Sequence, residues 1–227
     1  MQKLQGYRVC LEAGHGYHED GTYDSGANKK GIHEHVLNVA QVEHVAKLLE
    51  AQGCSVTKVI CTKNNGLSLS DRGRKGAGHN VFLSFHHNAF NGLVQGTEVL
   101  YHPLGSLADK HFAEELSERI AKVLGFANRG GKKQTLGVLK TVPDSVQVAV
   151  LIESYFMDNR SIDPDDLEGV SLRAADAVAE YVAEYLVTKC KPTMPVIIAP
   201  TKCEPVKAEL PPAEPKKVNL PKSPWKR

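Results

Sequence analysis

The chain has 227 residues, of which 41% are hydrophobic and 24% charged. That is ordinary globular usage, with length for one sizeable core and too little for two large ones. No run approaches the ~20 apolar residues of a membrane helix, so no membrane span is expected; Met1 to Cys10 also lacks the apolar core of a secretory signal, which predicts synthesis in the cytoplasm without a signal peptide. The net charge of +2 gives no sign of nucleic acid as a partner.

The charge is unevenly spread. From Lys189 onward nine Lys or Arg stand against three Glu, and nine of the twelve prolines fall in the same stretch. Proline lacks the N–H that helices and paired strands need and disfavours helix at the residue before it. The expected division is a folded body over residues 1–188 and an extended, disordered Pro/Lys-rich tail or linker over 189–227. The tail reads either as a solubilising end or as a cationic segment drawn to an anionic polymer.

In chain order, Arg8–Ala13 reads as a strand. His35–Gln52 follows as a helix with Leu37, Val45 and Leu48 on one face, stopped by Gly53. Ser55–Cys61, Val81–Phe85 and Thr97–Tyr101 are further strands, Leu107–Leu124 is a helix ended by Gly125, Val148–Ile152 is a strand and Leu172–Val187 a helix. Strands that are apolar without alternation are expected where helices cover both sheet faces. The predicted fold is α/β: a single three-layer domain with a mostly parallel central sheet flanked by helices, plus the extended C-terminal tail, and a monomer. The five cysteines, Cys10, Cys54, Cys61, Cys190 and Cys203, are odd in number and include no CxxC pair. They read as free thiols, with Cys10 in the core.

Ligands of such sheets bind at the carboxyl ends of the strands. Three apolar runs there give way to polar groups: Glu12-Ala13-Gly14-His15-Gly16, Ser84-Phe85-His86-His87-Asn88 and Glu153-Ser154. Glu34 opens the first long helix on the face of Leu37, Gln41, Val45 and Leu48, which hangs it over the strand ends near His15. Two imidazoles and a carboxylate suit a catalytic zinc ion, which takes three protein ligands and keeps a fourth position for water. His15, Glu34 and one of His86 and His87 supply them; neighbouring strand residues face opposite ways, and His86 is the choice. Glu153 is a candidate general base for the water. His33 and His35 read as exposed helix-start residues. Plainer readings stay open beside these: a tight turn at His15, dipole compensation by Glu34, and a strand-end ion pair for Glu153.

The ordered succession Leu11-Glu12-Ala13-Gly14-His15-Gly16, Glu34-His35-Val36-Leu37-Asn38, Leu83-Ser84-Phe85-His86-His87-Asn88-Ala89, Gly96-Thr97-Glu98-Val99-Leu100-Tyr101, Asn128-Arg129-Gly130 and Leu151-Ile152-Glu153-Ser154-Tyr155-Phe156 resembles the zinc-dependent N-acetylmuramoyl-L-alanine amidases of the amidase-3 type. The resemblance spans nearly the whole body. It implies hydrolysis of the amide between N-acetylmuramic acid and L-alanine in bacterial peptidoglycan, with Zn2+ held by His15, Glu34 and His86 and with Glu153 as the catalytic glutamate. Asn88, Asn128 and Arg129 would support a ligand or touch substrate.

Glu12 stands where the family commonly has aspartate, His87 where it often has a small residue, and the segment from Arg72 to Asn80 looks short and glycine-rich. Gly92 to Gly96 leaves no room for the inserted helix that blocks the cleft in some relatives, so an open cleft is expected. The resemblance suits a phage endolysin that reaches the wall after release, its basic tail meeting anionic wall polymers. A bacterial autolysin, another zinc amidohydrolase or carboxypeptidase, and a non-catalytic wall-binding module are the alternatives.

Overall fold

The computed structural model describes residues 3–193. Strand β1 (Arg8–Ala13) leads into two short hairpins, β2 (Gly16–Tyr17) with β3 (Tyr23–Asp24) and β4 (Asn28–Lys29) with β5 (Ile32–His33), and then helix α1 (Glu34–Glu50). Next come β6 (Ser55–Val59), α2 (Leu69–Arg74), β7 (Val81–Asn88), β8 (Thr97–Tyr101), α3 (Leu107–Leu124) and β9 (Asn128–Lys133). The chain continues through α4 (Gly137–Lys140), β10 (Val148–Phe156), a 3-10 turn at Pro164–Asp166 and α5 (Leu167–Lys189).

Six strands form one sheet in the order β6-β1-β7-β10-β8-β9. Every ladder is parallel except that between β10 and β8. The strand period of two sorts the side chains between the faces. Val9, Leu11, Val81, Leu83, Val150 and Ile152 enter the main core with residues of α1, α3 and α5. Cys10, Phe82 and Leu151 point the other way, onto Val138 and Leu139 of α4. The result is the three-layer α/β arrangement, with unequal outer layers. Three long helices cover one face, while the other meets the six-residue α2, the four-residue α4 and loop residues such as Leu67, Val142 and Val146.

Local signals fix several ends. Ser106 and Asp109 form a reciprocal capping box at the start of α3, and Gly125 closes that helix in the left-handed conformation at φ 70°. Ser68 caps α2 by accepting from the Asp71 N–H.

Some bounds differ from the sequence reading. β7 and β10 run on through His86–Asn88 and Glu153–Phe156, because ladder pairing continues after the apolar pattern stops. β9, which has no β-branched residue, was not expected. The folded part also extends beyond residue 188: Cys190 is buried, Asn80 Nδ2 donates to the Lys191 carbonyl at 2.9 Å and Thr193 Oγ1 donates to the Gly6 carbonyl at 3.2 Å. Residues 194–227, with most of the basic tail and Cys203, lie outside the described residues. Cys10, Cys54, Cys61 and Cys190 are free and buried. Among the described residues no helix is long and apolar enough to cross a membrane.

Candidate metal centre

β1 has β6 on one side and β7 on the other, so the chain's winding reverses beside it. That is where an open α/β sheet has its crevice. His15 leaves β1 there and His86 lies near the end of β7. Glu34, the first residue of α1, reaches both: His15 Nε2 is 3.0 Å from Glu34 Oε2, and His86 Nδ1 is 3.0 Å from Glu34 Oε1. One ligand atom from each residue lies within 4.8 Å of the others.

The backbone is shaped for this convergence. His15 itself has φ 65°, unusual for a residue with a side chain. A Cβ on Gly14 would fall 2.2 Å from the His86 ring, and one on Gly26 would fall 2.5 Å from Glu34 Oε2 and 2.6 Å from His15 Cδ2. Both glycines leave space that the three side chains fill.

The His15 ring is oriented from behind. Asp24 Oδ2 lies 2.8 Å from His15 Nδ1, which turns Nε2 toward Glu34. Glu34 also accepts from the Ala27 N–H at 2.9 Å and the His87 N–H at 3.0 Å. Burial works against the Glu34 charge, but the two imidazoles outweigh it and hold the carboxyl well below its usual range. Burial likewise pulls His15 down, yet Glu34 and Asp24 raise it to about 9; His86 is also raised, by Glu34 against its own burial.

This donor set fits zinc. With bonds of ~2.0–2.2 Å, neighbouring ligand atoms of a tetrahedral ion stand about 3.4 Å apart; here each imidazole lies 3.0 Å from one of the two Glu34 oxygens and one ligand atom of each residue lies within 4.8 Å of the others, so small side-chain shifts bring the set onto the ion. The carboxylate that orients a ligating histidine through its other nitrogen is a common support, and Asp24 stands in that place.

Glu153 sits on β10 directly opposite His86 in the parallel ladder. Its Oε2 is buried and has no hydrogen-bond partner among the described residues. Burial pushes the carboxyl up to about 7; His86 pulls it down, and Glu34 and Glu98 push it further up.

His87 faces away from the cluster. Its Nδ1 lies 2.8 Å from Asn38 Oδ1 and its Nε2 2.9 Å from Ser171 Oγ, between α1 and α5, and its ring packs edge-on against Tyr155. Burial pushes it down to about 3. His35 is not the exposed helix-start residue expected. It is buried beneath the turn after β1, with Nδ1 2.7 Å from the Gly14 carbonyl. His33 is half-buried and its ring makes no cap bond to α1.

Asn88 Nδ2 donates to Glu98 Oε1 at 3.1 Å, and Arg129 Nε donates to Glu98 Oε2 at 2.6 Å. Asn128 does not join this group: its Oδ1 accepts from Ser117 Oγ and the Gly130 N–H, which ties β9 to α3.

Three supporting residues were not among the site candidates drawn from the sequence, although Glu98 stands inside one of the motifs quoted there. Arg72, fully buried on α2, donates to the His15 carbonyl at 2.6 Å and to Glu12 Oε1 at 3.2 Å, while Ser84 Oγ donates to Glu12 Oε2 at 2.6 Å. Asp24 and Glu98 are the others. Each acts through folding-dependent proximity; only Arg72, four residues into the Ser68-capped segment, sits near a recognisable local pattern.

The family model of N-acetylmuramoyl-L-alanine amidases of the amidase-3 type matches residues 9–186. The chain belongs to this family. The protein is accordingly a peptidoglycan N-acetylmuramoyl-L-alanine amidase, and the family as a whole is zinc-dependent. It is 28% identical over 189 residues to the uncharacterized protein YqiI of Bacillus subtilis, covering 81% of this chain and 87% of that one. Among solved structures, the catalytic domain of the amidase CwlV from Bacillus (Paenibacillus) polymyxa superposes with a TM-score of 0.66 at 26% identity, covering 79% of this amidase and 98% of that domain. The catalytic domain of the CD27L endolysin, which targets Clostridia difficile, superposes with a TM-score of 0.59 at 26% identity, covering 77% and 97%.

Proposed function

We propose that His15, Glu34 and His86 hold a zinc ion and that Glu153 is the general acid–base in hydrolysis of the amide between N-acetylmuramic acid and L-alanine. The observation that carries this reading is the contrast between two carboxylates at one cluster. Glu34 has both oxygens engaged, as a ligand orienter or ligand must, whereas Glu153 keeps a buried oxygen without a partner.

Zinc bound there supplies a Lewis acid that acidifies water and polarises the scissile carbonyl. The protein's own residues do the rest. Glu153, raised to about 7 by burial, accepts the proton of the attacking water and returns it to the departing nitrogen of L-alanine. Asp24 holds His15 in one tautomer, and the Ala27 and His87 N–H groups fix Glu34.

The setting we propose is host-cell lysis in the manner of an endolysin. Residues 89–96, between β7 and β8, form a loop without a helix to cover the strand ends, which suits an enzyme active as soon as it reaches the wall. The basic tail would add attraction to anionic wall polymers. A bacterial autolysin of the same activity is the second reading, supported by the likeness to CwlV.

Chelation should abolish turnover of a soluble N-acetylmuramoyl-peptide, and zinc should restore it. His15→Ala, Glu34→Ala and His86→Ala should each lose stoichiometric zinc. Full turnover by the chelated protein would overturn the reading.

A further inference from the structure

His86, Glu153 and Glu98 lie side by side across three strands, in register on β7, β10 and β8. All three fall on the face that α2 and α4 leave partly open. The next strand continues the row through an irregularity: the β8–β9 register shifts between Thr97 and Val99, which sets Arg129 and Gly130 together opposite Glu98. Gly130 has φ 79°. A bulge of this kind re-aims the neighbouring side chain, here Arg129.

Arg129 is held with care. A Cβ on Gly96 would fall 2.7 Å from Arg129 Cδ, so only glycine leaves room for its stem. The guanidinium lies over the Phe156 ring at 5.0 Å, and Nε donates to Glu98 Oε2 at 2.6 Å. Lys132 Nζ donates to the same oxygen at 2.6 Å. Two cations therefore share one carboxylate, leaving one positive charge in excess. The two terminal nitrogens of Arg129 have no partner among the described residues, and its side chain is 34% exposed. A planar, fixed, half-open fork with unused N–H groups is built for a carboxylate.

We propose that Arg129, backed by Lys132 and anchored by Glu98, is the subsite for a carboxylate of the stem peptide on the L-alanine side of the scissile bond. This deepens the amidase reading and rests on it. The nitrogen that departs is protonated by Glu153, so the peptide it begins lies on the Glu153 side of the ligand cluster, toward Glu98. Adjacent strands are about 4.8 Å apart and an extended residue spans about 3.5 Å. The fork of Arg129, drawn back to Glu98, thus stands about one to two residues beyond that nitrogen. The group within reach is a free carboxylate carried one to two residues into the stem peptide from that nitrogen.

The test compares two soluble N-acetylmuramoyl-peptides that differ only in this group, carboxylate against carboxamide, with the full chain. The wild type should favour the carboxylate by about tenfold in kcat/KM, the scale of one charge-assisted pair. Arg129→Gln should bring the ratio close to one, Lys132→Gln should reduce it in part, and Arg129→Lys should retain some of it as a charge without a fork. The difference should reside in KM. A purely structural role would lower both substrates together and leave the ratio intact. Equal kcat/KM for the two substrates in the wild type, or an unchanged ratio in both glutamine variants, would overturn the proposal. Cleavage of neither substrate by the zinc-loaded wild type would instead overturn the amidase reading beneath it.

Discussion

The start of α1 presents a buried glutamate to the cluster and the middle of β10 a half-buried one, and the two are prepared in opposite ways. Glu34 receives two backbone N–H groups and two imidazoles, so its charge is held firmly and it is driven far below the usual carboxylate range. Glu153 has an orphaned oxygen and is pushed up to about 7. The lesson is that surroundings assign the role. A carboxylate with every lone pair engaged stays ionised and holds still, whereas one left short of partners exchanges protons near neutrality.

Exchanging each glutamate for glutamine should separate the roles, and this is the largest expected effect. Glu153→Gln should lower kcat by about 10³-fold, close to 4 kcal/mol of barrier, with zinc content unchanged. Glu34→Gln should lose zinc as well as turnover. Metal analysis beside a turnover assay reads both; zinc loss in the Glu153 variant, or full zinc in an inactive Glu34 variant, would erase the distinction.

The support behind the Glu34 side should show next. Asp24→Asn weakens the hold on His15 and should reduce zinc affinity about 10- to 100-fold, with turnover recovered at high zinc. Competition with a chromogenic chelator measures it. Asn38→Ala strips His87 of a buried partner and should cost about 1–3 kcal/mol in denaturant unfolding. The smallest effects belong far from both glutamates. Lys58→Ala breaks only an exposed pair with Glu43 and should change stability by less than about 0.5 kcal/mol. Deleting residues 194–227 should leave turnover of soluble fragments intact while weakening sedimentation with purified walls at low salt.

The two sides also differ in how legible they were. The strand bounds of β1 and β8 and the helix bounds of α3 follow from apolar patterning and caps, and they match the sequence reading. Polar residues inside ladders defeated that rule: His86 and Glu153 pair in register although neither continues an apolar run. α5 begins at Leu167, five residues before the expected start, since Gly169 and Arg173 blur its first turns while Leu167 and Val170 are buried. β9 escaped notice because Asn128-Arg129-Gly130-Gly131-Lys132-Lys133 pairs through its backbone at a sheet edge, where Gly131 packs tightly on α3; a Cβ there would lie 2.9 Å from the Glu114 nitrogen.

For the site, strand alternation separated His86 from His87, and the start of α1 put Glu34 above the strands. Asp24 and Arg72 stayed hidden, and Glu98 stood in a quoted motif without a role, because what they do depends on partners 9, 57 and 31 residues away. Nothing in the pattern announced that His35 would be buried: its carbonyl partner, Gly14, lies 21 residues back.

The zinc amidase chemistry assigned to Glu153 is tested most directly by digestion of purified peptidoglycan by the wild type, by the chelated wild type and by Glu153→Gln, with products identified by mass spectrometry and by new chain ends. Free L-alanine amino termini without new reducing sugar ends are expected, and only with the zinc-loaded wild type. Cleavage elsewhere in the stem peptide, or undiminished release of L-alanine termini by Glu153→Gln, would contradict it.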